Sequence, residues 1–578
     1  MSSRPFWPRG ASREPAPGGR TGQHLDERRP VMRLNRSALA LAALAAVAAP
    51  SRSVTIRVPQ DQPTIQTAIA AADSGDTVLI SDGTYYEHDI LMASGVTVES
   101  ASGDPQYVVV DAGDLGRCFI LDGVEGGEID ALTLTGGAAV GGGMDGKGGA
   151  MLCVSSSTRL EDITFAGNSA AVEGGGLYCE GGTPYVVSCH FDGNTCEGAG
   201  GGAVIRGTSG PMDAFGSNIF RYNEAERGGG LAIFGAATTN LINVCTFEGN
   251  EAVMSGRPFG PARSSGLGGG VYVDSLASLE IRSAVFTDNY AHHAGGGIYI
   301  TGGGSPEVNF GRFTLNQAVT YGGGLCAEHA GAFSMAGWGV TNDYFEDNTA
   351  WHGGAVYIYD ADGVTIEEHT FRDNVASERG GAVALEDVSN CSFSSCQFNG
   401  NRAQRGFALD VLGCSFLSLT GCTIADNHPW SGSVSGAVYF GESLSWSDIT
   451  ESIIAFNGGE AIACGASVVP DPNWNDPLDL HWMDVYGNTG GDWSGSIEGF
   501  GDFLSNISLD PRFCDMSGSE NDDHDDFTLC SNSPCLADDP ENPTDTLMGA
   551  HDEGPCGECT SLVEAMSWGS IKSLFRCD

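Results

Sequence analysis

The chain has 578 residues, 85 of them glycine, and a formal net charge of −47 at pH 7. So acidic a protein does not coat nucleic acid phosphates or anionic membranes, and it repels polyanionic glycans unless a cation bridges them. A hydrophobic content of 41% excludes global disorder, and the length implies several domains unless a repeat explains it.

Residues 1–31 are rich in Arg, Pro and Gly without periodicity and read as an unstructured or mis-assigned start. Residues 32–50 begin with Met32-Arg33, continue with an alanine-rich apolar run and end in small residues, the pattern of a signal peptide. The run is too short to remain as a bilayer anchor. The expectation is therefore a secreted protein, extracellular or associated with the cell envelope or outer membrane, with no transmembrane segment after processing. All eighteen cysteines follow residue 117, which fits an oxidising compartment; reduced core thiols in a cytosolic chain are the alternative.

Past residue 54, Pro63 to Ala72 reads as a short amphipathic helix that caps the first strand edge. A repeat then takes over. An aromatic residue, two residues, an asparagine, a small-residue turn and a glycine pair precede an apolar strand. Examples are Phe165/Asn168, Phe191/Asn194, Phe286/Asn289, Phe313/Asn316 and Phe371/Asn374, continued by Ile424/Asn427 and Ile454/Asn457. The glycine half reads Gly268-Gly-Gly-Val-Tyr-Val273 or Gly295-Gly-Gly-Ile-Tyr-Ile300. Most steps are 26 to 30 residues; one of 39 carries an insertion, Met254 to Gly266. Short β-rich segments broken by glycine exclude helical solenoids, and the leucine-rich signature is absent. The predicted fold is all-β: a right-handed single-stranded parallel β-helix of about 11–13 coils over residues 54–510. Like residues then stack about 4.8 Å apart, and each Asn sits at a bend where its amide can bond along the column.

Two cysteine pairs keep the coil period, Cys153/Cys179 and Cys396/Cys422, and are candidate disulfides; Cys189 and Cys245 lie two coils apart, too far to bond. Residues 511–560 form a Cys-rich C-terminal cap expected to be held by disulfides, zinc being the alternative. Residues 561–578 contain a short amphipathic helix.

The segments Phe371-Arg-Asp-Asn374 and Gly380-Gly-Ala-Val383 resemble the repeats of chlamydial polymorphic outer-membrane proteins. More broadly, residues 54 to about 510 look like the right-handed β-helix, or pectin-lyase-like, superfamily. The resemblance to the chlamydial proteins implies adhesion, with the expectation that their terminal barrel is absent here. The superfamily's uronate lyases imply a Lys or Arg base beside calcium-holding carboxylates. Here Lys147 lies in a glycine run, and Arg206, Arg379 and Arg405 are scattered in sequence; the aspartate signatures of the β-helical polygalacturonases are not found in order.

Strand alternation places Leu177, Val271 and Ile298 inward, hence Tyr178, Tyr272, Tyr299 and Tyr357 outward, with Glu180, Asp274 and Glu328 on the same face. Such a stripe suits a neutral or cationic glycan, or a protein; ordinary strand tyrosines are the plainer explanation. Glu328 and Glu386 follow glycine strands two coils apart, near the spacing of an inverting carboxyl pair, as any two acids in one column would be. No cofactor is expected. Calcium is the candidate cation, at Asp522, Asp523, Asp525 and Asp526 or within Asp471 to Asp476, although neither matches a calcium loop. The leading expectation is a non-enzymatic adhesin-like binder of an extracellular glycan or surface protein. The alternatives are a carbohydrate-active lyase, epimerase or hydrolase and a structural envelope component.

Overall fold

A computed structural model describes residues 53–559 except 208–211, 236–239, 255–264, 275–278, 310, 338–342, 431–434, 443, 467, 469–477, 502–503, 517–525, 545 and 555. The start 1–31, the signal segment 32–50, the terminal helix, the Asp471 to Asp476 cluster, and Asp522, Asp523 and Asp525 lie outside the described residues; Asp526 is described in backbone only.

The chain winds as a right-handed parallel solenoid of about 13 turns, as the period requires. One coil shows the plan. Leu177–Glu180 and Tyr185–Val187 lie in a first sheet, His190–Asp192 in a second and Thr195–Cys196 in a third. Register is one coil per repeat: Phe165 pairs with Phe191, Phe191 with Phe220, and Phe286 with Phe313. The long step changes nothing, because Phe247 still pairs with Phe286.

The inward side chains form the core. Phe286 and Phe313 stack with ring centroids 4.7 Å apart and planes 5° apart, and Phe313 and Phe345 at 4.3 Å and 1°. All three rings are fully buried. Beside them runs a ladder of buried asparagines from Asn168 to Asn488. Asn316 is typical. Its Nδ2 donates to Asn348 Oδ1 at 3.0 Å and to the Phe286 carbonyl at 2.9 Å. Its Oδ1 accepts from the Asn289 backbone N–H and Nδ2. The ladder thus satisfies polar groups that the bend would otherwise bury unpaired. It ends on Asp492, whose Oδ1 accepts from Asn488 Nδ2 at 3.0 Å.

The predicted N-terminal helix spans Ile65–Ala71, with Thr64 as N-cap in a capping box with Thr67. Pro63 therefore precedes the cap instead of opening the first turn. Ile65, Ala68 and Ile69 are buried in the main core.

The cysteine pairs come out differently from the expectation. Cys153 and Cys179 are register partners, yet both are free thiols, as are Cys396 and Cys422. In-register parallel side chains stand about 4.8 Å apart, whereas a disulfide brings its Cβ atoms to about 3.8 Å. Bonding would pinch two coils together. Cys189 and Cys245 are also buried thiols. The disulfides lie in the C-terminal region, Cys514–Cys556 and Cys530–Cys559. Its residues Phe513, Phe527, Leu529 and Met548 pack on Ala425, Ile453 and Ala455 of the late coils.

Asp484 joins this cap to a late coil. Its carboxylate accepts from the Leu509 N–H at 3.0 Å and from the Cys535 thiol at 3.2 Å, and it is fully buried. Burial, with smaller contributions from Asp492 and Asp510, pushes its pKa up to about 7. The folded value lies above the unfolded one, so the native state holds the extra proton between them. The stability this brings is complete at low pH and is lost as pH rises toward 7. Asp484→Asn keeps a carbonyl for the Leu509 N–H and cannot ionise. Its stability relative to wild type is expected to grow by roughly 2–3 kcal/mol between pH 5 and pH 8. Denaturant titrations at the two pH values check this, and a gap independent of pH would count against it.

Candidate functional site

Each glycine pair turns the chain into the first sheet so tightly that the residue before it comes to lie beside the outward side chains of the next strand. A Cβ on Gly174 would sit 2.4 Å from the Leu177 carbonyl oxygen. The preceding residues therefore line up along the axis: Lys147, Glu173, Ala199, Arg227, Leu267, Ala294, Tyr321 and His352 bridge one to the next, and Arg379 bridges Arg405.

This corner corrects the expected tyrosine stripe. Tyr178, Tyr272, Tyr299 and Tyr357 belong to the outward register, but none is more than 5% exposed. With Ala199, Val204, Ala232, Leu267 and Ala294 they form a second apolar cluster outside the barrel. Their hydroxyls alone reach the rim, where Tyr178 donates to Glu180 at 2.8 Å, Tyr299 to Glu328 at 2.8 Å and Tyr357 to Glu386 at 2.9 Å. Asp274 is exposed beside them. Glu328 and Glu386 are two coils apart, as expected, with Tyr359 between them.

Lys147 is not loose in its glycine run. Its ammonium lies 2.9 Å from Glu173, donates to the Tyr178 hydroxyl at 2.7 Å and is only 15% exposed; Glu173 also pairs with Arg206.

The richest chemistry lies further along the same corner, where the sequence showed only scattered arginines. Asp410 takes an outward position of its strand but is fully buried. Arg405 grips it, Nε to Oδ2 at 2.6 Å and Nη2 to Oδ1 at 3.2 Å, and lies over the Tyr439 ring at 4.5 Å. Arg379 approaches the other side, Nη1 to Oδ1 at 3.8 Å. Burial raises the Asp410 pKa, opposed by both arginines. Arg379 Nη2 pairs with Glu386, and Nε donates to His352 Nδ1 at 3.2 Å. Burial also acts to raise the Glu386 carboxyl, but Arg379 and Tyr357 outweigh it and leave the pKa below its ordinary value. Nη1 of Arg379 is buried and has no hydrogen-bond partner.

His352 is held neutral. Burial first, then Arg379, lowers its pKa to about 4. With Nδ1 accepting from Arg379, the proton belongs on Nε2, 4.0 Å from Glu378. Trp351, half exposed, donates its indole N–H to the same carboxylate. The corner thus gathers a spare guanidinium donor, carboxylate acceptors and a fixed neutral imidazole, a set suited to oxygen-rich, uncharged ligand groups.

Among the described residues the cysteines Cys514, Cys530 and Cys556 are close enough to share a metal, but all three sulfurs are in disulfides. That arrangement replaces the zinc alternative.

The right handed beta helix region family matches residues 119–337 and 265–468. No curated protein matches the chain in sequence. Among solved structures it is similar to the Dettilon tailspike protein (gp208), at 11% identity and a TM-score of 0.32, over 73% of this chain and 70% of that one. It is similar to PfbA, a surface adhesin of Streptococcus pneumoniae, at 11% identity and 0.27, over 75% and 93%. A mannuronic acid specific polysaccharide family 6 lyase from human gut microbiota is similar at 12% identity and 0.34, over 79% and 91%.

Proposed function

Because this chain belongs to the right-handed β-helix family, we propose that it is a secreted or surface-held scaffold that binds a carbohydrate along the corner outside its first sheet, and so adheres to a glycan-bearing surface. The observation that carries this reading is the buried Nη1 of Arg379, a charged donor without a hydrogen-bond partner. A sugar hydroxyl could accept from it, while Glu386 and Glu378 could accept from neighbouring hydroxyls. The two disulfides suit an oxidising, extracellular setting. Among the described residues no helix is long and apolar enough to cross a membrane. The net charge of −47 favours neutral or cationic glycans over uronates.

A glycan array is the test. Wild type is expected to bind neutral members, and Glu386→Gln to bind them about tenfold more weakly, the loss of roughly 1.4 kcal/mol. Arg379→Lys, which keeps the charge opposite Asp410 but loses the planar fork, should weaken binding further. An array without a hit, or unchanged binding by both variants, sinks the reading.

The second reading is a carbohydrate-active enzyme. It draws on the contact of Tyr357, Glu386, Arg379 and His352 within one hydrogen-bonded group. Release of reducing ends or unsaturated uronates by wild type and its loss in Glu386→Gln would favour this reading over simple binding.

A further inference from the structure

One corner of the late coils carries two large aromatic residues at a left-handed bend. The bend joining the two strand segments of the first sheet holds Gly363 at φ 81°, Asn390 at 53°, Phe416 at 56° and Trp446 at 51°. The register makes these four one column, through the pairings of Asp362 with Ser389, Ser389 with Ser415, and Ser415 with Ser445. Glycine and asparagine are the residues that this left-handed backbone favours; for a bulky aromatic it is strained. The rings gain little burial in exchange, since Phe416 is 55% and Trp446 73% exposed. Tyr222, Val244 and Leu315 are exposed at left-handed positions elsewhere, so what distinguishes this corner is the pair of large rings on successive coils.

The surroundings indicate what would sit there. Along the same outward face, two residues beyond the rings, Ser418 donates to Asp448 Oδ2 at 2.8 Å. Asp479 is the register partner of Asp448, and His481 Nδ1 lies 3.5 Å from Asp479. That imidazole nitrogen is buried without a hydrogen-bond partner. Two exposed rings, one coil apart, therefore lie beside a row of hydroxyl, carboxylate and imidazole groups. A pyranose has matching parts: an apolar C–H face that covers an aromatic ring and a rim of hydroxyls that both donate and accept. The strongly negative protein disfavours the uronate and sulfated alternatives on charge.

We infer that Phe416 and Trp446 form a docking platform for a neutral glycan chain, with Ser418, Asp448, Asp479 and His481 bonding its hydroxyl rim. This rests on the glycan-binding reading but not on the Arg379 corner, and the two can fail separately.

The decisive variant is Phe416→Asn/Trp446→Asn, which installs the residue that the fold already uses at Asn390. It is expected to unfold at the same temperature as wild type or a higher one. Native electrophoresis through gels containing galactomannan, hydroxyethyl cellulose, dextran or polygalacturonate reads binding as retardation. Wild type should be retarded by at least one neutral polysaccharide and not by polygalacturonate alone, with at least a tenfold loss of affinity in the double variant. If Glu386→Gln is still retarded while the double variant is not, the platform stands and the Arg379 corner falls. The platform is overturned if the double variant is retarded as wild type is, if wild type is retarded by no neutral polysaccharide, or if only the acidic gel retards it.

Discussion

Asn316→Ala is expected to destabilise the central coils by about 4 kcal/mol or more, out of proportion to the few atoms removed. The side chain makes bonds to three residues in the two flanking coils. Its loss strands the Asn289 backbone N–H, one Nδ2 hydrogen of Asn289 and the Phe286 carbonyl on one side, and takes a donor from Asn348 Oδ1 on the other. Each is buried, and each unmade bond costs about 1–3 kcal/mol. Asn316→Asp keeps the acceptor and loses the donor. It also sets a carboxylate against the Asn348 Oδ1 that Nδ2 now contacts at 3.0 Å. It should be as damaging at neutral pH and partly relieved in acid, where a protonated carboxyl donates again. A solenoid need not unfold as one unit, so the measurement is hydrogen exchange. Faster exchange confined to strands around residues 286–348 supports the prediction, and protection equal to wild type would remove the ladder from the account of stability.

Gly296→Ala is expected to be as severe, for a steric reason. An added Cβ would lie 2.3 Å from the Gly323 carbonyl oxygen and 2.6 Å from that of Gln317. Both are backbone atoms, so no side chain can swing aside. The coils must part and lengthen the ladder bonds on both sides. The expected cost is about 4 kcal/mol or more, at the far end of what single substitutions do. Gly193→Ala is the control. Gly193 has φ 62°, yet nothing lies within 4 Å of its added Cβ, so it should lose only the left-handed strain of about 1–2 kcal/mol. Denaturant midpoints for the two variants separate crowding from strain; equal losses would show that the Gly296 contact is not what matters.

The contrast between these positions shows what could be read from the chain alone. Phe165 to Phe398 announce themselves because a core column needs the same residue type at every turn. The asparagines do so because the bend and the ladder together tolerate little else. The tyrosines were harder. Alternation gives the direction of Tyr299 and Tyr357 correctly, but direction is not exposure. Their cover comes from residues before the glycine pair, such as Leu267 and Tyr321, through a turn whose tightness no periodicity reveals. The same gap hid the charged corner. Arg379 and Arg405 look isolated in sequence, and only alignment on the residue before the first glycine of each turn puts them in one column with His352. Cys153 and Cys179 went astray in the opposite sense, since their adjacency was legible while their Cβ separation was not.

The insertion between Asn250 and Asn289 leaves both Phe247 on Phe286 and Asn250 on Asn289. The molecule therefore counts turns, not residues, and its natural unit of growth or loss is a whole turn. Excising residues 287–313 would carry Thr314 to the place of Thr287 and leave every remaining phenylalanine stack and asparagine ladder bond with a partner of the same kind. Lineages of such chains can accordingly change their reach without redesigning their interior, altering only which outward side chains meet.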